Sequence, residues 1–403
     1  MPETSAPPFA RRTERLRSST IRDLLKLTEH GNVLSLAGGL PSPESFPMVD
    51  LRREADRLLS EFGPSVVQYS STDGVPTLRH WIAEDFAASS GREIDPSGQV
   101  LVTHGSQQGL DLVAKVFLDE GDVVVVEDPA YLGLLQAFDL YGPRFEPIPS
   151  DENGMCTDVL ADRLAAGLQP KLVYVVPNFH NPTGASLSIE RRRHLAELAD
   201  RYGFLIVEDN PYGSIRFRSN EVAPVAAFTD RVLYLSTFSK MVAPGFRVGW
   251  CVGPQLAMEM LNRAKQATDL HTSTFAQHLL GNLVSQPGWL ADHRRRIVPI
   301  YRERCDALAA SLRSSFGRHI QFEAPEGGMF LWARFPELAD TDLFQRTCIS
   351  HGVAFIPGSA FSVRRQPQQT ARFSFATLSI PRLAEAALRL LAGYTVTTRG
   401  AQQ

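Results

Sequence analysis

The sequence predicts a two-lobed α/β protein, in which a mainly parallel sheet wrapped by helices forms a large domain beside a smaller α+β domain. Length is the first observation, because 403 residues exceed the size of one average compact domain. The second is an alternation of short apolar runs with helical patterns between about residues 100 and 250, which is typical of doubly wound α/β domains. The third is a change of pattern after about residue 290, where a long helix precedes several short strands.

The predicted strands of the large domain are short runs of Val, Ile, Leu and aromatic residues, most of which lack polar alternation. Such runs are typical of strands that are buried on both faces, as in a parallel sheet. They are Val100–Thr103, Val123–Glu127, Leu172–Pro177, Phe204–Glu208 and Val232–Ser236.

Helical periodicity occurs between these runs. One predicted helix, Leu110–Asp119, has an apolar face that consists of Leu110, Val113, Val116 and Phe117. A second, Ile189–Tyr202, carries Leu195 and Leu198 beside an arginine-rich outer face. Helices of this kind would cover the faces of the predicted sheet.

The C-terminal part of the chain has the pattern of a second lobe. A long predicted helix, Trp289–Phe316, is followed by strand-like segments and by a last helix; these are Met329–Phe335, Val353–Ile356, Ala371–Thr377 and Ile380–Ala392. This order predicts a small α+β domain.

These patterns divide the chain into three parts. We expect a large domain over residues 51–288 and a small C-terminal domain over residues 289–403. Residues 1–50 are predicted to be a mobile arm that joins the small domain, although the residues alone leave open which lobe they pack on. The two ends, about 1–15 and 395–403, are expected to be loose tails.

Charge and composition exclude several classes of protein. The net charge is −3, whereas nucleic-acid binders usually carry a strongly basic face. The N-terminus has no apolar core of a secretory signal, and no apolar run approaches the ~20 residues that span a bilayer. The cysteines are scattered without metal-ligand spacing, which predicts reduced thiols, no metal site and a cytoplasmic protein; they are Cys156, Cys251, Cys305 and Cys348.

The most informative segment, residues 236–250, follows the last apolar run of the large domain and reads STFSKMVAPGFRVGW. Lys240 directly follows a strand, and Thr237 and Ser239 place two hydroxyls on the same turn. Arg247 follows a Pro-Gly pair that predicts a further turn. Two hydroxyls and a guanidinium suit a phosphate group. A desolvated lysine beside cationic groups suits Schiff-base chemistry.

This segment resembles the cofactor-lysine signature of the fold-type I, class I and II aminotransferases, which depend on pyridoxal 5′-phosphate (PLP). In that signature Ser-x-Ser-Lys or Ser-Thr-x-Ser-Lys is followed by Pro-Gly-x-Arg-x-Gly, and residues 236–249 match it almost completely. The resemblance covers most of the chain and implies a fold-type I PLP-transferase. It implies that Lys240 holds PLP as a Schiff base, and that the phosphate is bound by Thr237, Ser239 and Arg247.

Two strand ends resemble the family's contacts to the cofactor ring. Asn181 lies in Asn-Pro-Thr-Gly, and this motif alone predicts only a turn. Its position between two predicted strands favours the role that the resemblance implies, which is a hydrogen bond to the phenolic oxygen of the cofactor and contact with the substrate. The resemblance implies that Asp209 pairs with the pyridine nitrogen, which stays protonated and lets the ring withdraw electrons. Tyr212 would contact the phenolic oxygen. The intervening Asn210-Pro211 departs from the family pattern, and proline stiffens the loop.

Two further turns resemble the family's cofactor site. Gly105, Ser106 and Gln107 stand between a strand and a helix, where backbone N–H groups bind phosphate readily, and the family places a phosphate contact there. Tyr131 follows the next strand, in Asp-Pro-Ala-Tyr. The resemblance implies that its ring stacks on the pyridine ring.

Two more residues match family positions for substrate and for a second subunit. Arg372 alternates with Phe373 and Phe375 in a strand pattern, and in the family an arginine of this strand binds the substrate α-carboxylate as a bidentate fork. In isolation, an arginine on an exposed edge strand is the alternative. Tyr69 matches a tyrosine that reaches the phosphate of the neighbouring subunit, which implies a homodimer; a buried aromatic residue is the alternative.

Within the family the sequence resembles the 2-aminoadipate and kynurenine aminotransferase branch, on the motifs SLAGGLPSPE, HGSQQ, ATDLHT and GGMF. Gly39, in the first of these motifs, is a candidate for substrate binding. In that branch an N-terminal helix carries an arginine that meets a side-chain carboxylate, and Arg22 fits its place. The alternative is that Arg22 only solvates a helix.

The resemblance implies a ping-pong transamination between an L-amino acid and a 2-oxo acid, with 2-oxoglutarate and glutamate as one pair. Lys240 would move a proton during the reaction, and the donor would be 2-aminoadipate or an aromatic, branched or specialised amino acid. Another PLP reaction on the same scaffold, such as that of a lyase, a decarboxylase or an amino-acid oxidase, remains an alternative. A ligand-sensing regulator is a more remote alternative, because too few residues precede the family core to form a DNA-binding module.

Overall fold

The computed structural model describes residues 8–16, 33–364 and 366–400 of the chain. Its strands within these ranges are β1 Leu34–Ser35, β2 Val100–Thr103, β3 Val123–Asp128, β4 Arg144–Asp151, β5 Gly154–Met155, β6 Leu172–Val175, β7 Leu205–Asp209, β8 Val232–Thr237, β9 Gly249–Val252, β10 Phe330–Arg334, β11 Val353–Ala354, β12 Ile356–Pro357 and β13 Thr370–Ser374.

The α-helices of the same ranges alternate with these strands in the first two thirds of the chain. They are α1 Met48–Phe62, α2 Pro76–Ser90, α3 Ser106–Phe117, α4 Leu132–Asp139, α5 Thr157–Ala165, α6 Ile189–Tyr202, α7 Gln255–Asp269, α8 Thr274–Val284, α9 Trp289–Phe316, α10 Thr341–Ser350 and α11 Ile380–Gly400. Among the described helices, none combines the length and apolar character needed to cross a membrane.

An eight-stranded sheet in the order β2-β9-β8-β7-β6-β3-β4-β5 forms the centre of the large domain. Neighbouring strands from β8 to β4 are parallel, whereas β9 is antiparallel to both β8 and β2, and β5 is antiparallel to β4. The predicted mainly parallel sheet is therefore confirmed. The carboxyl ends of β2, β3, β6, β7 and β8 meet at one edge, where ligands bind in open α/β sheets.

Both faces of this sheet are buried, which explains why its strands read as continuous apolar runs. In β3, Val124 and Val126 pack into one hydrophobic cluster and Val125 packs into another on the opposite face. The predicted helix Ile189–Tyr202 matches α6, which begins where the Ser188 side chain accepts a hydrogen bond from the backbone N–H of Arg191.

The small domain contains a three-stranded antiparallel sheet, β10-β13-β12, and a two-stranded parallel pair, β1-β11. The prediction of one strand over 353–356 was wrong, because β11 and β12 pair with different partners. Strands β1, β4, β5 and β9 were not predicted. β4 is only partly buried along most of its length and lacks a clear apolar pattern.

The prediction of loose tails was wrong at both ends within the described residues. Residues Arg11–Arg15 form a 3-10 turn, and Arg15 makes an ion pair with Glu120. Helix α11 continues to Gly400, and the hydroxyls of Thr395 and Thr397 donate to carbonyls one turn earlier. Threonine has a weak intrinsic helix preference, so the helical pattern fades in the sequence before the helix ends.

The structure shows where residues 34–37 pack, which the sequence left open. Leu34 pairs with Val353 across β1 and β11, and the backbone N–H of Ser374 donates to the Leu36 carbonyl at 2.8 Å. This segment is therefore held by the C-terminal strands. The division of the whole chain into residues 1–50, 51–288 and 289–403 stays a prediction.

Candidate active site

Most of the predicted site residues that the structure describes gather at the carboxyl edge of the large sheet. Lys240 follows β8 and is partly buried, and its Nζ donates to the Gly39 carbonyl at 2.7 Å. Burial, reinforced by Arg247 and Arg372, lowers the pKa of Lys240 to about 8. A substantial fraction of this amine is therefore neutral near pH 7–8, which is the form that attacks a carbonyl carbon.

Asp209 ends β7 and is 1% exposed. Its Oδ2 accepts a hydrogen bond from the Tyr174 hydroxyl at 2.9 Å, whereas Oδ1 is buried and has no partner among the described residues. Burial raises the pKa of Asp209 to about 7, against the lowering effect of the Tyr174 hydrogen bond. A buried carboxylate oxygen without a partner is costly, so this atom suits a cationic N–H group of a ligand.

Asn181, Tyr212 and Arg372 are connected by hydrogen bonds. The Arg372 Nη1 donates to Asn181 Oδ1 at 2.7 Å, and Asn181 Nδ2 donates to the Tyr212 hydroxyl at 3.4 Å. Tyr212 is 4% exposed, so the Asn210-Pro211 pair does not prevent its side chain from entering the site. The three side chains come from different strands and loops, which only the folded sheet brings together.

Arg372 is a fully buried cation in the middle strand of the small sheet, so the alternative of an exposed edge-strand arginine was wrong. Its guanidinium lies 4.2 Å from the centre of the Phe330 ring and 5.1 Å from that of Phe361. Its Nη2 donates to the Ala37 carbonyl at 2.5 Å, while Nε has no partner among the described residues. Burial lowers the pKa of Arg372 to about 10, so it stays charged at neutral pH and is ready for an anion.

The turn after β8 forms a cluster of donors. The Thr237 hydroxyl donates to Ser239 Oγ at 2.9 Å, and the backbone N–H of Ser239 donates to Thr237 Oγ1 at 3.1 Å. Arg247 Nη1 donates to Ser239 Oγ at 3.3 Å. The predicted convergence of two hydroxyls and a guanidinium on one turn is therefore present in the structure.

A glycine brings the start of α3 against this guanidinium. Gly105 has a φ of +74°, and a Cβ built there would lie 2.5 Å from Arg247 Nη2. A Cβ on Gly249 would lie 2.7 Å from the backbone nitrogen of Ser106. The close approach at these two glycines brings the N–H groups at the start of α3 beside Arg247. Gln107 reaches sideways and donates to the Gly133 carbonyl at 2.9 Å.

Two predicted aromatic contacts differ in exposure. Tyr131 is half-buried, and a Cβ on Gly133 would lie 2.5 Å from its hydroxyl, so this glycine leaves room for the Tyr131 ring. Tyr69 is 77% exposed and meets the His271 ring edge-on, with 5.6 Å between ring centres. The alternative of a buried aromatic residue at position 69 was therefore wrong. Arg22 lies outside the described residues.

Sequence reasoning missed three residues of this site. Tyr174 stands in the predicted strand Leu172–Pro177, where the hydroxyl in an apolar run was the available signal. Phe330 and Phe361 hold the Arg372 guanidinium between them, and nothing in their local sequence indicates that partner. No group of three or more metal-ligating side chains occurs in the parts of the chain that the structure describes.

The residues present fit PLP on three observations. The unpartnered Asp209 Oδ1 suits the ring N–H, the Gly105 turn and Arg247 suit the phosphate, and the amine of Lys240 suits the aldehyde. Electron withdrawal into a ring, anchored by phosphate at one end and a buried carboxylate at the other, is the chemistry that this arrangement supports.

Comparisons with known proteins agree with PLP as the cofactor. The family model for aminotransferase class I and II matches residues 33–390. The chain is 40% identical to aromatic-amino-acid aminotransferase 1 of Thermococcus litoralis, over 95% of this chain and 93% of the relative. It is 38% identical to 2-aminoadipate transaminase of Thermus thermophilus, over 95% of each chain.

A solved structure gives the same result. The kynurenine aminotransferase of Pyrococcus horikoshii, in complex with PMP, superposes with a TM-score of 0.91 at 38% sequence identity. The match covers 96% of this chain and 97% of that one.

Proposed function

Because the chain belongs to the class I and II aminotransferases and is a PLP-dependent enzyme of fold type I, we propose that it works by a ping-pong mechanism. An L-amino acid donates its amino group in the first half-reaction, and a 2-oxo acid receives it in the second. We propose that 2-oxoglutarate and glutamate are one of the two pairs of 2-oxo acid and amino acid that the enzyme interconverts. The observation that carries the proposal is the Lys240 amine, whose pKa is lowered by burial and by the nearby charges of Arg247 and Arg372.

The donor is an aromatic amino acid or 2-aminoadipate, and branched amino acids are further candidates. The names of the relatives in Thermococcus litoralis and Thermus thermophilus support the first two. The Arg372 guanidinium lies between two phenylalanine rings, so the carboxylate position borders an apolar surface. Arg22 is proposed to meet the distal carboxylate of an acidic donor.

When bound, PLP supplies an electrophilic aldehyde carbon and a ring that takes up electron density from the substrate Cα. Lys240 would hold the cofactor through its amine, and the Nζ atom, when free, would accept the proton of the substrate Cα and later release it. The lowered pKa of Lys240, about 8, suits both steps because the amine accepts and releases a proton near neutral pH.

The remaining side chains position the reactants. Asp209 accepts the ring N–H at Oδ1 and keeps that nitrogen protonated, while Tyr212 and Asn181 donate to the phenolic oxygen. Arg372 holds the substrate α-carboxylate through its guanidinium donors. Gly39, whose carbonyl contacts the lysine amine, lies beside the incoming amino group.

At the other end of the cofactor, the phosphate is held by backbone and side-chain donors. They belong to Gly105, Ser106, Gln107, Thr237, Ser239 and Arg247. Tyr131 covers one face of the ring. Helix dipoles favour anions at helix N-termini, and α3 begins at Ser106.

We also propose that the active enzyme is a cytoplasmic homodimer. Tyr69 is exposed and would reach the phosphate bound in the second subunit. An apolar surface cavity supports an interface on the same molecule, since exposed apolar patches mark contact sites; it is lined by residues including Phe46, Leu51, Phe246, Phe275 and Leu279.

A single-turnover spectrum tests the reaction. Holo-protein is mixed with one amino acid at a time, without a 2-oxo acid, and the absorbance of the cofactor is followed. Stoichiometric conversion to pyridoxamine phosphate with release of a 2-oxo acid is expected, and the fastest amino acids name the donor class. Decarboxylation or oxygen uptake without that conversion would show that another PLP reaction takes place on this scaffold.

Lys240→Ala is the matched variant. We expect weak cofactor binding through the phosphate contacts, no cofactor absorbance typical of a lysine adduct, and no turnover. Normal turnover in this variant would contradict the proposed role of Lys240.

A further inference from the structure

A buried lysine of α7, Lys265, pairs with Asp269 on the same helix, and both residues bond Gln108 of α3, next to the proposed phosphate contacts. Lys265 is 0% exposed, and its Nζ donates to Asp269 Oδ1 at 2.8 Å, to Asp269 Oδ2 at 2.9 Å and to Gln108 Oε1 at 2.9 Å. Gln108 Nε2 donates to Asp269 Oδ2 at 2.7 Å. We call Lys265, Asp269 and Gln108 the Lys265 cluster. Its three side chains close a ring of hydrogen bonds in which the ammonium group has three acceptors.

The Lys265 cluster holds the turn that contains the proposed phosphate contacts. Gln108 Oε1, which accepts from Lys265, also accepts from the backbone N–H of His104 at 2.7 Å. The Gln108 backbone N–H donates to the Gly105 carbonyl at 3.2 Å. The Gln108 side chain therefore spans the turn from His104 to the first residues of α3, and Lys265 fixes the orientation of its amide.

The other side of the cluster holds a strained turn. Asp269 is the last residue of α7, and the next residue, Leu270, has a φ of +68°. A non-glycine residue in this region costs on the order of 1–3 kcal/mol and persists only where its surroundings hold it. The His271 backbone N–H donates to the Asp269 carbonyl at 2.8 Å, and the His271 ring contacts Tyr69. One buried ammonium group thus organises two turns.

We propose that the Lys265 cluster is a positioning unit for the cofactor phosphate, which holds the N–H groups of Gly105, Ser106 and Gln107 in the arrangement that binds it. This inference rests on the proposed placement of the phosphate at the start of α3. Lys265 is fully buried, and removing its charge from water costs free energy that its acceptors offset only in part. The contact between the two helices therefore does not explain why a lysine, rather than an apolar residue, stands at this position.

The experiment compares binding of PLP with binding of pyridoxal, which lacks the phosphate, to the cofactor-free protein. Lys265→Met removes the ammonium group and keeps most of the side-chain volume. We expect the PLP dissociation constant to rise on the order of tenfold, as for loss of one charged hydrogen bond, and the pyridoxal dissociation constant to stay unchanged. A purely structural role would weaken both ligands alike.

Lys115→Met is the matched control, because Lys115 also links α3 to α7. Its Nζ donates to Thr268 Oγ1 at 2.9 Å and pairs with Asp111. The side chain is 38% exposed, and these two partners lie outside the turn at 104–107. This variant should keep the wild-type preference for PLP over pyridoxal.

If Lys265→Met does not fold, Gln108→Met tests the same proposal. Gln108 is half-buried, and the substitution removes the acceptor that joins His104 to Lys265. It should also weaken PLP binding alone. Unchanged PLP binding in the folded variants, or an equal loss for PLP and pyridoxal, would overturn the positioning role. A wild-type protein that binds PLP and pyridoxal equally would instead contradict the proposed phosphate site itself.

Discussion

The two ends of the active site are built in different ways. The ring end consists of Asn181, Asp209, Tyr212 and Arg372, each at most 5% exposed, and the pKa values of its ionisable members are shifted by burial. The phosphate end consists of Gly105, Ser106, Gln107, Thr237, Ser239 and Arg247, and it includes half-buried and exposed residues. It is rich in backbone N–H groups and hydroxyls.

This difference indicates that the two ends serve different functions, one in the reaction and the other in cofactor affinity. At the ring end, a buried carboxylate oxygen without a partner costs free energy. Binding of a protonated ring nitrogen relieves that cost. At the phosphate end, many moderate donors share one anion, so affinity is spread over several contacts. Substitutions at the ring end should therefore change the rate constant, whereas substitutions at the phosphate end should change cofactor affinity.

The largest expected effect is that of Asp209→Asn at the ring end. The amide cannot keep the ring nitrogen protonated, so we expect kcat to fall by about 10³-fold, the scale of a lost electrostatic contact in an enclosed site. PLP binding should change much less. Single-turnover rates and PLP titrations measure the two quantities, and an equal loss in both would remove the contrast between the two ends.

The same substitution should stabilise the cofactor-free protein. The pKa of Asp209 in the folded protein, about 7, is above its ordinary value of 3.8, so the folded state binds more protons between these values and loses stability as the pH rises through this window. Asn removes that loss, which amounts to about 1.4 kcal/mol for each pKa unit. Urea unfolding at pH 8 should show the gain, and unfolding near pH 4 should show almost none.

Arg372→Leu is expected to have the next largest effect. Loss of two charge-assisted hydrogen bonds to the α-carboxylate should lower kcat/KM by about 100-fold for every amino acid. Arg334→Leu is a control on the neighbouring strand, because Arg334 is exposed and, among the described side chains, donates hydrogen bonds to Gln369 alone. A loss restricted to one amino acid would mean that Arg372 recognises side chains.

Arg247→Met tests the phosphate end. We expect the PLP dissociation constant to rise by about 30-fold, with kcat at saturating PLP reduced only a few-fold. Pyridoxal binding should be unaffected. A fall in kcat as large as that of Asp209→Asn would show that this arginine acts on the reaction and not only on affinity.

Tyr69→Phe should have the smallest effect, because it removes one neutral hydrogen bond. We expect PLP affinity to fall by about fivefold at protein concentrations where dimers form. No change at any concentration would contradict the proposed contact between subunits.

The sequence by itself determined the strands of the large sheet and the lysine turn. Apolar runs buried on both faces need no alternation, so β2, β6 and β8 could be located within two residues. The turn at 236–250 could be recognised because its donors and Lys240 are adjacent in the chain. Features of this kind can be recognised from the sequence because the residues that form them are neighbours in the chain.

The tertiary structure decided how distant segments meet. Lys240 contacts a carbonyl 201 positions away, Arg372 contacts one 335 positions away, and Lys265 contacts a side chain 157 positions away. These pairs depend on sheet order and helix packing, which no local pattern contains. Burial likewise depends on neighbours from the whole chain, so the shifted pKa values of Lys240 and Asp209 arise only when the chain has folded.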